Sequence, residues 1–216
     1  MYLPRHFAED DLATLHALIR AHPLGTWVTR GDDVPGGITA DHVPFMLDAD
    51  HGVLRCHVAR ANPVWQRVAA NPDAASLVVF QGADAYITPS WYATKREHGK
   101  VVPTWNYATV HVHGVARVID DAAWLRALVE TLTTKHEAPR AQPWAVSDAP
   151  EDYVDALLRA IVGIEIPIAS IVGKWKVGQN HPAANQRGVA DGLEADSRDA
   201  TAHDMAGLVR ARIRNP

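Results

Sequence analysis

Cysteine occurs once in the 216 residues, at Cys56, so neither an internal disulfide nor a multi-cysteine zinc centre can form. No apolar run approaches the roughly 18 residues that a membrane-spanning helix needs. The start, Met1-Tyr2-Leu3-Pro4-Arg5-His6-Phe7, has neither the charged nor the apolar region of a secretory signal, and the expected location is the cytoplasm. Basic residues are not in excess: 21 Lys and Arg face 25 Asp and Glu, for a formal charge of -4. That balance disfavours a surface built to grip nucleic-acid phosphates. Also missing are a Gly-x-Gly-x-x-Gly after a strand, a Walker loop, a Gly-x-Ser-x-Gly elbow and a His-Glu-x-x-His pair. Chemistry must come from residues scattered along the chain.

Histidine and tryptophan are plentiful, at 12 and 7 residues. Hydrophobic residues make up 47% and charged residues 21%, the balance of an ordered globular chain. After Asp10-Asp11, Leu12, Leu15, Leu18 and Ile19 form a helical stripe that ends near His22-Pro23. Extended segments follow at Thr26–Thr29, at Ile38–Leu47 beyond turn-forming residues from Asp32 to Gly37, and at Leu54–Ala59. In the last of these, Leu54, Cys56 and Val58 alternate with Arg55, His57 and Ala59. Asn62-Pro63 reads as a helix start. Leu77–Phe80 reads as a strand turned at Gln81-Gly82, with Ala85–Thr88 returning, and Pro89–Val102 as a loop holding Trp91 and Tyr92.

Tyr107–Ile119 alternates again. Helices are expected after Asp120-Asp121 and Pro150, a last strand over Ile164–Ile171 running into Lys174-Trp175-Lys176, and a terminal helix over residues 199–213 with Arg210, Arg212 and Arg214 at its end. Short strands at hairpin spacing with helices between them describe a closed or half-closed antiparallel barrel, mainly β with peripheral helices.

Three segments could carry chemistry. In His57-Val58-Ala59-Arg60-Ala61-Asn62-Pro63 a guanidinium meets a helix start, which suits a phosphate monoester, or else Arg60 bridges to a carboxylate. Val102-Pro103-Thr104-Trp105-Asn106-Tyr107 offers an apolar wall with edge-on donors for a flat heteroaromatic ligand, or a core Trp at a strand start. Lys174-Trp175-Lys176-Val177-Gly178-Gln179-Asn180 sets charge around an aromatic, or is an amphipathic strand end. His111 and His113 share a strand face and would need a third ligand, such as His42 or His57, to hold a metal or haem; no metal is expected.

Taken together, these segments resemble the PaiB-type family, described as FMN-binding negative transcriptional regulators, whose split barrel is shared with pyridoxamine phosphate oxidases. The resemblance runs from Met1-Tyr2-Leu3-Pro4 and Phe7 through Ala40-Asp41-His42-Val43-Pro44, the Arg60 segment, Phe80-Gln81-Gly82, Tyr86-Ile87-Thr88-Pro89-Ser90-Trp91-Tyr92 and the Trp105 segment. It ends at Ile161-Val162-Gly163, Lys174-Trp175-Lys176 and Gln179-Asn180. Family members tend to carry Thr where this chain has Asp41, which puts a carboxylate near the site.

The resemblance implies an α+β split β-barrel of FMN-binding type over residues 1–195, a helical extension over 196–216, and a homodimer with FMN at the subunit interface. It implies Arg60 and Asn62 at the phosphate, His42, Val43, Pro44 and His57 on adjoining strands, Trp105 or Trp175 against the ring, and Lys174 near its polar edge. A flavin-dependent oxidoreductase is the enzymatic alternative and a haem-binding split barrel a third. Direct DNA binding is not visible as a recognition helix or basic stripe.

Overall fold

The computed structural model describes residues 1–31, 34–196 and 201–213. Arg214 and part of the Asp32–Gly37 turn therefore lie outside the described residues, as does the start of the expected terminal helix. Backbone pairing orders the strands β1 (Ala8–Glu9), β10 (Ser170–Lys176), β7 (Thr104–Val115), β6 (Ala75–Ile87), β2 (Leu24–Arg30) and β3 (Ile38–Pro44) in one sheet. A second sheet runs β4 (Met46–Asp48), β5 (Val53–Ala59), β9 (Ile161–Pro167) and β8 (Arg117–Ile119). With its helices, this is the expected α+β split barrel. By contacts the chain divides into two units, residues 1–21, 81–110 and 172–216, and residues 22–80 and 111–171.

In the first unit, α1 (Leu12–Ala21) starts where the Asp11 carboxylate accepts the Thr14 amide at 2.9 Å, and it buries Leu15, Leu18 and Ile19. Gln81-Gly82 does not turn the chain. Gly82 lies inside the 13-residue β6, where a Cβ would stand 2.9 Å from Leu18 and 3.2 Å from the Ala108 carbonyl. Glycine here admits a close neighbour; it supplies no positive φ. The expected 85–88 return is the same strand continuing. Within the expected loop lie a turn at Pro89–Trp91 and the short α3 (Lys95–His98). α6 (Ala183–Ala195) and α7 (Ala202–Arg210) pack on Ile87, Tyr92 and Val177 through Val189, Leu193, Met205 and Val209.

In the second unit, β2 pairs with β3 along its length and with β6 at Thr26–Val28. Cys56 is buried in β5, and burial pushes its thiol far above the usual range, so it is a packing residue. α2 (Val64–Ala70) follows β5. α4 (Ala122–Glu137) begins at Asp121, whose side chain accepts the Trp124 amide at 2.7 Å, and with α5 (Glu151–Arg159) it buries Leu125, Val146, Val154 and Leu158.

The single strand expected from Ile164 into Lys176 is two, β9 and β10, in different sheets. Pro167, which cannot donate to a ladder, ends the first, and Ile168 and Ala169 separate them. Gly163 of β9 lies under Trp124: an added Cβ would stand 2.4 Å from the ring and 2.9 Å from the Ile119 carbonyl. Gly163→Ala is expected to cost about 1–3 kcal/mol through overpacking, read from urea midpoints at constant slope.

Candidate functional site

In the second unit the edge strand β3 leaves His42 and Pro44 exposed and turns Val43 into the core. Asp41 is brought to Asn62: the Asn62 amide donates to Asp41 Oδ1 at 2.8 Å, while Asn62 Oδ1 accepts the Val64 amide at 2.9 Å and caps α2. The remaining oxygen, Asp41 Oδ2, is buried without a partner, as is His57 Nδ1. Such groups are uncommon in folded proteins and mark places where a ligand or water completes the bonding.

Arg60 has several protein partners. Its Nη1 and Nη2 donate to Asp120 Oδ2 and Oδ1 at 3.0 and 2.6 Å, and Nε and Nη2 donate to the carbonyls of Arg159 and Ile161 at 2.8 and 3.1 Å. Trp65 lies beneath the guanidinium at 5.9 Å and donates its indole N–H to the Arg60 carbonyl. Of the two readings of Arg60 left open by sequence, the bridge to a carboxylate is the arrangement present. Asp120, an exposed residue not expected at the site, is held below the usual carboxylate range by that hydrogen bond.

His57 sits on β5 opposite Gly163 and lines an apolar cavity of about 450 Å³ with Trp144, Tyr153 and Leu157. Burial lowers its pKa. The unfolded chain then binds more protons than the folded one between the lowered value and about 6.5, so stability is full above that and falls as pH drops through the folded value. His16, His111 and His181 shift the same way. His57→Gln is expected to reduce the loss of urea midpoint between pH 7 and pH 5; an unchanged loss would remove His57 from that account.

In the first unit Trp105 is 52% exposed, donates its indole N–H to Asp84 Oδ1 at 2.7 Å and meets Tyr86 edge-on at 6.1 Å. Lys174 and Lys176 share one face of β10, and Trp175, 3% exposed, occupies the other, with its ring beside Gly173. Lys174 is buried, donates to the Tyr2 carbonyl at 3.0 Å and stands 5.2 Å over the Tyr107 ring. Lys176, absent from the expected contacts, donates to Thr104 Oγ1 and the Trp105 carbonyl.

Among the described residues no carboxylate pairs with either lysine, whereas Arg55, Arg60, Arg126 and Arg210 all have one. Burial and the neighbouring Lys174 lower the Lys176 pKa. Two sheltered cations without an anion are incomplete. A sequence signal for Lys176 exists: it lies two residues beyond Lys174, on the same strand face.

Gln179 closes the end of β10, donating to the Trp175 carbonyl at 2.6 Å and accepting the Val177 amide at 2.9 Å. His111 and His113 are half-buried on β7; among the described residues no three His, Cys, Asp or Glu side chains gather to hold a metal ion.

The fold and these polar groups define a split barrel of the flavin-binding class. Residues 1–170 match the family model described as "Putative FMN-binding domain", and the chain belongs to that family. It is 35% identical over 245 residues to uncharacterized protein AN0679 of Emericella nidulans, covering 98% of this chain and 97% of that one. It is 31% identical over 216 residues to the protease synthase and sporulation protein PAI 2 of Bacillus subtilis, covering 99% of each. Among solved structures, the FAD and heme binding protein from Mycobacterium smegmatis has the same fold, with a TM-score of 0.55, 16% identity, and coverage of 78% of this chain and 73% of that one.

Proposed function

We propose that the protein is a homodimer that holds FMN where two chains meet. The family match over residues 1–170 carries this reading. The residues fit the cofactor: a phosphate needs cations not already neutralised, and Lys174 and Lys176 are such a pair; ribityl hydroxyls need acceptors, and the unpartnered Asp41 Oδ2 is one. Lys174 and Lys176 would hold the phosphate, with Trp105 beside the ring. Trp175 would support Lys174 from the opposite strand face. The other set, His42, Val43, Pro44, His57, Arg60 and Asn62, would come from the second chain. There Arg60, tied to Asp120, fixes the turn that carries Asn62. The exposed edge of β3 is a surface that a second chain would cover.

When bound, FMN supplies electron or hydride transfer; the protein's part is to bind, orient and shield it. The regulatory role suggested by the family is proposed as indirect, through the flavin's redox state, because the net charge is negative and Arg55, Arg60, Arg126 and Arg210 are tied to carboxylates. Size-exclusion chromatography with light scattering tests the dimer: a monomer at micromolar concentration would overturn it. Duplex-DNA binding at low salt that weakens steeply with added salt would overturn the indirect role.

A further inference from the structure

In the second unit, α4 and α5 do not fill all the space beside β5 and β9. Trp124 of α4 rests on Gly163, and Leu125, Val154 and Leu158 form the interior, but Ala59, Ala149 and Ala160 are too short to close the remainder. What is left is the cavity of about 450 Å³ beside His57, a size usual for small-ligand sites. Its walls are held in place by their own contacts. Arg126 of α4 donates to Glu151 and Asp155 of α5 at 2.7 and 2.9 Å, and the Trp144 amide donates to Glu137 Oε2 at 3.2 Å.

The lining selects the occupant. It contains no Asp, Glu, Lys or Arg, so an ion entering it would lose water without meeting a counter-charge. Trp144, Tyr153 and Leu157 line it and are exposed, which makes them its mouth and suits a flat apolar body.

His57 supplies the polar contact. Its Nδ1 is enclosed without a partner; Nε2, which has no partner among the described residues either, is not enclosed. Burial keeps the ring neutral, with a proton on one nitrogen and a lone pair on the other. An enclosed N–H without an acceptor is rarer and costlier than an enclosed lone pair, so the proton belongs on Nε2. A donor in an otherwise apolar cavity calls for an acceptor from the occupant.

We propose that this cavity binds an uncharged, flat aromatic molecule bearing a carbonyl, whose oxygen accepts a hydrogen bond from His57 Nε2. His57 also belongs to the set assigned to the flavin, but no other member of that set lines the cavity, and the inference does not rest on that reading.

The test titrates 2-acetylnaphthalene, 2-ethylnaphthalene and 2-naphthoate into the full chain, following the Trp144 indole and the His57 ring by NMR. The ketone is expected to bind saturably and the carboxylate at least tenfold more weakly, on the order expected for a desolvated charge. His57→Phe is expected to weaken the ketone about tenfold and the hydrocarbon less than about twofold. If His57→Phe does not fold, the unaltered chain decides: Nε2 carries the proton, and that proton moves downfield with the ketone and not with the hydrocarbon. No saturable shift, preference for the carboxylate, equal losses for ketone and hydrocarbon, or a proton on Nδ1 overturns the proposal. A Trp144 shift that follows protein concentration alone also overturns it and assigns the face to a second copy. FMN uptake is measured on the same samples: FMN bound without the ketone removes this inference alone, and the ketone bound without FMN removes the flavin reading alone.

Discussion

Replacing Lys174 and Lys176 together by methionine is expected to weaken FMN binding by roughly 100-fold, because each removes a charge-assisted hydrogen bond worth about 1.5 kcal/mol or more to a phosphate. The folded chain is expected to hold its stability or gain some. Among the described residues neither lysine has a carboxylate partner to strand, and a methionine fills the same space without the cost of a sheltered charge. Arg60→Met is the contrast: its guanidinium is occupied by Asp120 and two carbonyls, so it acts only through the turn that carries Asn62, and affinity is expected to fall by about threefold, far less than for the lysine pair. Equilibrium titration followed by flavin fluorescence separates the two outcomes. A large loss with Arg60→Met and none with the lysine pair would move the phosphate to the α2 end of β5.

Phe45→Ala is expected to produce the largest loss of stability, about 3–5 kcal/mol, measured from denaturant midpoints. Phe45 is 1% exposed and stands edge-on between Trp27 at 6.5 Å and Phe80 at 5.9 Å. Gly25 exists as glycine because a Cβ there would come within 2.9 Å of both phenylalanines. Truncating Phe45 opens a cavity that the two remaining aromatics, Trp27 and Phe80, and Gly25 cannot close. Since a domain's whole stability is about 5–15 kcal/mol, the variant is expected to be partly unfolded near its normal working temperature. Phe45→Leu, which keeps most of the volume, is expected to lose less than half as much.

Elements with strong local signals were legible in the sequence. Asp11 and Asp121 cap helices as acidic residues before apolar stripes should, and the alternation of Leu54, Cys56 and Val58 against Arg55, His57 and Ala59 is the burial pattern of β5. Gly82 misled because glycine signals a turn and close packing with the same letter. α6 was missed because its sequence, Ala-Ala-Asn-Gln-Arg-Gly-Val-Ala-Asp-Gly-Leu-Glu-Ala, carries two glycines and few large apolar residues; Gly192 is there because Trp91 presses on that face, with ring atoms 2.4 Å from where a Cβ would lie.

At the candidate site, sequence pointed to segments but not to partners. Asp120, sixty residues from Arg60, is set beside it only by the packing of β5 with β9 and the chain entering α4. The closeness of Asp41 and Asn62 is likewise a matter of tertiary structure. That Lys174 and Lys176 have no counter-ion among the described residues depends on which carboxylates the fold brings near, which no local pattern records.

The decisive measurement is the identity and amount of flavin carried by the full chain, purified without added cofactor and again after incubation with FMN and with FAD. The account predicts a yellow dimer that retains stoichiometric FMN through gel filtration, releases it unchanged on heat denaturation and prefers it to FAD. A colourless chain that takes up neither flavin, or one that takes FAD in preference, would contradict it.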